Sequence, residues 1–183
     1  MKAVLMSIRP KWCELIASGE KTVEVRKTKP KLEPPFKCYI YCTIGDGAKG
    51  DRLVPSGIAC GKVIGEFMCK EIEGGYLGDA AIYRSSGTCL SPSQLADYAD
   101  DGLVYFWHIS NLVIYDEPRE LGEFWGADKC PYASVDGCTY KFHCFRAGQT
   151  KRCGNTLTRP PQSWCYVEEQ NGSRRSLEQE GKR

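Results

Sequence analysis

Lys21, Thr22, Glu24 and Arg26 stand together in the stretch SGEKTVEVR (18–26). Val23 and Val25 alternate with the polar residues, which predicts a half-buried strand with its polar side chains grouped. The four types suit an anionic or nucleobase ligand. Lys21 is a point charge with three donors, and Arg26 is a planar fork for phosphate or for stacking on a base. Glu24 could orient the guanidinium, accept from a base edge, or act as a general base if burial raises its pKa. Thr22 adds a hydroxyl. The competing reading is a solvated strand face carrying an ordinary ion pair, worth only ~0–1 kcal/mol.

A second group lies in TRPPQSW (158–164). Two prolines fix φ near about −65° and stiffen the approach to a final strand. Arg159, Gln162 and Ser163 could then be presented at defined angles. Trp164 or Trp107 could stack a base, worth ~1–3 kcal/mol in single-strand binders, or pack the core; Trp12 and Trp125 are assigned to packing.

A third group is Cys130, Cys138, Cys144 and Cys153, with His143 among them. Seven, five and eight residues separate the successive cysteines. The segment has little apolar content of its own. Three or four thiolates on a structural zinc would order it, although the tight Cys-x-x-Cys pairs usual in zinc sites are missing. The alternative is a basic loop of free thiols, and Lys141, Arg146, Lys151 and Arg152 suit contact with RNA either way. His108, between Trp107 and Ile109, reads as a satisfied histidine of the barrel wall. No phosphate-binding loop, dinucleotide fingerprint or Ser-His-Asp set is present.

The elements that must position these groups can be read in order. Residues 3–8 form a buried strand, and Pro10 opens a helix over 11–18 that Gly19 ends. A strand at 21–26 is followed by a loop over 27–36, too rich in proline for helix or central strand. Strands are expected at 37–44, 57–72, 103–115 and 163–169. Gly61 and Gly65 mark a bulge or bend. Ser91 caps a short helix that opens at Pro92. Residues 117–126 form a short helix or turn. Long bent strands with few helices predict an α+β, mainly β fold, a small closed sheet with short flanking helices. Residues 1–169 form one domain with an insert at about 127–157, and 170–183 a disordered tail.

The chain has 183 residues, enough for one domain with a sizeable core. No apolar run reaches the ~18 residues of a membrane helix, and the N-terminal apolar patch is too short for a signal peptide. A cytoplasmic protein is expected, with no membrane partner. The 11 cysteines are then mostly free thiols, and Cys38, Cys42, Cys60 and Cys69 are small buried hydrophobes. Net charge is +2, but unevenly spread: +5 over 1–40, −8 over 41–128 and +5 over 129–167. If the two basic blocks meet, they form the footprint of an anionic partner, RNA above all.

The G-x-K-T-x-E-x-R strand, carried here by Gly19, Lys21, Thr22, Glu24 and Arg26 after Pro10, resembles the ASCH domain. GKVIGEF (61–67), YFWHISNLVIYDEPREL (105–121) and RPPQSWCYVEE (159–169) add to the likeness, the last resembling the bacterial and phage members. The resemblance implies a PUA-like β-barrel that binds RNA or a nucleotide in a cleft beside this strand. Some members are hydrolases, one branch acting on N4-acetylcytidine and another described as ribonuclease. The deacetylating branch has a threonine where Glu24 stands and a glutamate in the region of 85–95, where this chain has no carboxylate. Its machinery is therefore not reproduced.

Three functions follow as expectations. The first is binding of RNA or a modified nucleotide by Lys21, Thr22, Glu24, Arg26, Arg159, Gln162, Ser163 and Trp164. The second is a small RNA-directed hydrolase with Lys21 and Glu24 as catalytic groups. The third is an interaction module whose structural zinc is held by Cys130, Cys138, Cys144 and Cys153.

Overall fold

The computed structural model describes residues 1–44, 57–76, 86–100, 102–127 and 156–170. The order is β1 (Lys2–Ile8), α1 (Pro10–Ala17), β2 (Val23–Arg26), β3 (Phe36–Cys42), β4 (Val63–Tyr76), α2 (Pro92–Ala99), β5 (Leu103–Arg119) and β6 (Trp164–Glu168). A single turn of 3-10 helix at Leu121–Glu123 follows β5. The fold is therefore α+β and mainly β.

The six strands form one sheet in the order β2-β5-β4-β3-β1-β6. β1 and β3 run parallel, with α1 in the crossover between them, and the other neighbours are antiparallel. Alternation sorts the side chains. Val4, Met6 and Ile8 join Ile16 of α1, Cys38, Ile40, Phe67 and Trp107 in the main core. Leu5, Tyr39, Val63, Phe124 and Val167 pack on the opposite face. Further along, Leu95 and Ala99 of α2 cover Val23, Val25, Val104 and Phe106. Both faces of the central strands are thus buried, which is why β1 and β3 are almost uninterruptedly apolar.

β2 and β6 are the two edges. Among the described residues no ladder joins them, so the sheet is left open along one seam where a closed barrel was expected. The edges nevertheless approach. Arg26 of β2 reaches Ser7 and Ser163, and Trp107 of β5 lies 6.1 Å from Trp164 of β6, between ring centroids. β2 is only four residues long and runs out towards Pro30, which leaves it too little backbone to pair with a second neighbour.

Other boundaries differ from expectation for local reasons. β4 starts at Val63 rather than 57, because residues 57–62 turn back and Gly61 donates its N–H to Cys42 O at 2.7 Å. A bulge follows at Gly65, as the glycine suggested, where a Cβ would collide with the Val113 carbonyl. Further irregularities lie between Glu66 and Met68 and between Cys69 and Glu71. The latter is the one that matters for the outer face. It makes Lys70 the extra residue and puts Glu71 opposite His108. β5 continues past 115 to Arg119. α2 has the expected cap: Ser91 Oγ accepts from Gln94 N–H at 3.2 Å, and Gln94 Oε1 accepts from Ser91 N–H at 3.0 Å.

The cysteine-rich segment, with Cys130, Cys138, Cys144, Cys153 and His143, lies outside the described residues, as does the tail from 171 onward. Gln170, placed in that tail by composition, is anchored. Its N–H donates to Tyr39 Oη at 2.8 Å and its side chain to Glu123 O at 2.6 Å.

Candidate functional site

The polar side chains of β2 do not face solvent. Lys21, Glu24 and Arg26 are only 3%, 6% and 8% exposed. Glu24 pairs in the ladder with Trp107, so it and Arg26 lie on the face that carries the main core. Burying three charges is costly unless each is paired and hydrogen-bonded, and the surroundings meet that demand.

Glu24 stands between the two cations. Its Oε2 is 3.4 Å from Lys21 Nζ and its Oε1 is 3.1 Å from Arg26 Nε. Lys21 Nζ also donates to Val23 O at 2.8 Å and Thr88 O at 2.6 Å. Its three donors therefore have three acceptors. The Trp12 ring lies 5.2 Å from the ammonium and covers it. Arg26 donates through Nη2 to Ser7 O at 2.7 Å and through Nη1 to Ser163 O at 3.4 Å and Oγ at 3.3 Å. It spans the open seam, tying the edge strand β2 to β1 and to the entry of β6.

Position 22 behaves differently. Thr22 is exposed, and its N–H and that of Val23 both donate to Gly87 O at 2.9 Å. Gly87 has φ +73°, and a Cβ there would collide with the Thr22 hydroxyl. The 86–90 loop thus docks on β2 at a point that only glycine permits.

The TRPPQSW segment reaches this cluster through three of its residues. Ser163 holds Arg26, and Pro161 O accepts from Ser7 Oγ at 2.7 Å. Trp164 is half-buried; its Nε1 donates to Thr28 Oγ1 at 2.9 Å, and its ring packs on Trp107 and Tyr166. The Trp164 ring is thus packed on one side and remains partly open. Arg159 and Gln162 are exposed. Ser7, Thr28, Gly87, Thr88 and Trp107 join the site without having been assigned to it from sequence, apart from Trp107 as a stacking residue. Gly87 and Thr88 had no legible signal, since their role depends on a distant loop docking on β2, Thr88 lying 67 residues from Lys21.

One buried donor near this cluster, Trp107 Nε1, makes no hydrogen bond among the described residues, while Arg26 Nε meets only the Glu24 carboxylate of its ion pair, at 3.1 Å. Around the cluster stands a rim of cations over rings. Lys27 Nζ is 5.6 Å from the Tyr98 centroid, Lys29 Nζ 5.7 Å from Tyr105, and Lys11 Nζ 4.8 Å from Trp12. These three lysines are exposed.

His108 is satisfied, as expected, and lies on β5, partly exposed, with Nε2 2.8 Å from Glu73 Oε1. Together with Glu71 these residues place three ligand atoms within 4.8 Å of one another, the one described group that could hold a cation. It lies on the opposite face of the sheet from Glu24.

Comparison with known proteins agrees with this architecture. Residues 6–64 match the family described as ASCH domain, a span that includes α1 and all of the β2 cluster. A crystal structure of ASCH from Zymomonas mobilis is similar at TM-score 0.58 and 20% identity, over 91% of this chain and 88% of that one. A serine-to-alanine variant of the Zymomonas mobilis protein gives TM-score 0.58 at 19% identity, over 91% and 89% of the two chains. A tyrosine-to-phenylalanine variant gives 0.52 at 22%, over 66% and 77%. None of the curated proteins compared matches the chain. Residues 6–64 are thus similar to the ASCH domain, and the fold as a whole is similar to that of the Zymomonas mobilis ASCH protein.

Proposed function

We propose that this ASCH-like chain binds single-stranded RNA or a modified nucleotide along the seam between β2 and β6. The observation that carries the reading is the layered chemistry of that seam. Its floor holds a buried donor without a hydrogen bond among the described residues, Trp107 Nε1. Its wall offers the half-buried Trp164 ring, and its rim carries Lys11, Lys27 and Lys29 over aromatic faces. A buried unpaired donor costs about 1–3 kcal/mol, which an acceptor on a bound base would recover. Rings supply stacking and exposed lysines supply phosphate contacts without sequence preference. In this reading Arg26, Ser163 and Trp164 contact or frame the ligand, while Lys21 and Glu24 hold Arg26 and the 86–90 loop in place. Arg159 and Gln162 contribute from the exposed side.

Binding is favoured over hydrolysis because Lys21 has all three donors engaged and Glu24 lies between two cations. Neither is poised to move a proton. The test is a titration of tryptophan fluorescence with short single-stranded RNAs and with nucleosides, N4-acetylcytidine included. Quenching that weakens with salt and is lost in Trp164→Ala supports the proposal. No quenching with any of them overturns it, and product formation moves the assignment to the hydrolase.

A further inference from the structure

The main core contains three cysteines from three separate elements that converge. Cys13 lies in α1, Cys42 ends β3, and Cys60 sits in the turn before β4. Cys13 and Cys42 are fully buried and Cys60 is 5% exposed. The Cys42 and Cys60 sulfurs are 3.8 Å apart. Their backbones are already side by side, because Cys42 N–H donates to Lys62 O at 2.9 Å and Gly61 N–H to Cys42 O at 2.7 Å. A disulfide needs the sulfurs at about 2.05 Å. Side-chain rotation over held backbones closes most of that gap.

The three thiols are not equivalent. Hydrogen bonding with Cys42 and then burial push the Cys13 thiol far up, and its S–H also points at Ile8 O, 3.6 Å away. Burial, and then Cys42, push Cys60 up to about 11. Cys42 moves down, its hydrogen bonding with Cys13 acting most, against burial, and that with Cys60 adding to it. Among the three, Cys42 is the sulfur best placed to carry the negative charge that thiol chemistry requires. Cys38 and Cys69 share the core, and burial raises both, Cys69 to about 12.

We propose that Cys42 and Cys60 are a redox pair that closes to a reversible disulfide under a hydroperoxide. The Cys42 thiolate attacks one peroxide oxygen. The O–O bond breaks, a sulfenic acid forms, and hydroxide leaves and is protonated to water. The Cys60 sulfur then attacks the sulfenic sulfur. The S–O bond breaks, the S–S bond forms, and a second water leaves with the Cys60 proton. Two thiols are oxidised and one peroxide is reduced to two waters. A dithiol returns the pair to its starting state. Disulfides of this kind in a reducing compartment are transient and sensing rather than structural. The burial of Cys42 makes the reaction slow, at a rate set by local opening of the turn that carries Cys60. This proposal does not depend on RNA binding.

The sequence makes the link readable. Trypsin releases Cys42 in peptide 38–49, Cys60 in 53–62 and Cys13 in 12–21. The full chain is treated with hydrogen peroxide, alkylated, digested without reductant and analysed by mass spectrometry. The expected product is 38–49 joined to 53–62, with fragmentation placing the bond on Cys42 rather than Cys38, and dithiothreitol abolishing it. Cys60→Ser should lose this link while Cys13→Ser retains it. A link of 38–49 to 12–21, a link through Cys38, or no link at peroxide levels that oxidise the exposed Cys89 would overturn the pairing.

Discussion

The buried cluster on β2 and the rim around it use the same residue types to opposite ends. In the cluster, Lys21 and Arg26 are buried, share one carboxylate and spend their donors on backbone carbonyls. At the rim, Lys11, Lys27 and Lys29 are exposed and rest over rings. Burial decides the difference. A cation out of water must be saturated by the protein, so it becomes a fastener. A cation left in water stays free for a phosphate. The sequence motif that looks most like a binding site is thus mainly a clamp, and the plainer lysines beside it carry the open surface.

Removing the shared carboxylate should break the clamp and give the largest effect. Glu24→Ala leaves two buried cations without their counter-ion, and losing one partner of a buried pair costs about 3–5 kcal/mol. Urea unfolding should show a midpoint reduced accordingly, with the slope retained. A midpoint within ~1 kcal/mol of wild type would mean that the cluster is solvated and that the contrast with the rim is false.

A buried hydroxyl outside any ion pair sharpens the same rule at high pH. Tyr39 is fully buried, and burial pushes its phenol up to about 12, against a hydrogen bond from the Gln170 backbone that acts the other way. The folded pKa lies above the unfolded value of about 10, so the unfolded chain releases its proton first. Stability from this group is present in full below about pH 10 and is lost as pH rises towards 12. The loss should reach about 2–3 kcal/mol, at about 1.4 kcal/mol per unit. Tyr39→Phe should unfold less steeply over that interval; an unchanged profile would show that the hydroxyl is not shielded from water in the folded chain.

The rim gives a smaller effect, and on another observable. Lys27→Ala and Lys29→Ala should leave the unfolding midpoint within about 0.5 kcal/mol, as surface changes do. Each should lower the slope of log affinity for single-stranded RNA against log salt by about 0.7. Loss of stability without a change in slope would mean that these lysines are fasteners too.

Much of the frame was legible because it follows from local pattern. Pro10 and the apolar positions of α1, the cap at Ser91, the bend at Gly65 and the alternation in β1 and β3 are written over short windows. The partners of Lys21 and Arg26 were not legible. Thr88 and Ser163 lie 67 and 137 residues away in sequence, and nothing local marks them. Alternation in β2 did predict that Glu24 and Arg26 share a face. It could not tell that this face turns inward, because α2 and the 86–90 loop cover the other side. The partner of His108 was equally hidden, since Glu73 lies 35 residues away and the extra residue at Lys70 shifts the ladder between them.

The smallest effect belongs to a pair that matches Arg26–Glu24 in chemistry but not in burial. Arg119 donates through Nε and Nη2 to Glu123 Oε2 at 3.0 and 2.9 Å, better geometry than Arg26 has with Glu24. Yet its side chains are 32% and 35% exposed. In high dielectric, and after the entropy of holding two long side chains, such a pair contributes about 0.3–0.5 kcal/mol. Glu123→Gln keeps an oxygen to accept from Glu120 N–H, a bond now 2.9 Å long, so the change isolates the charge. The unfolding midpoint should shift by under ~1 kcal/mol, and less still in high salt. If this change matched Glu24→Ala in size, distance rather than burial would govern both pairs, and the division between clamp and rim would have to be redrawn.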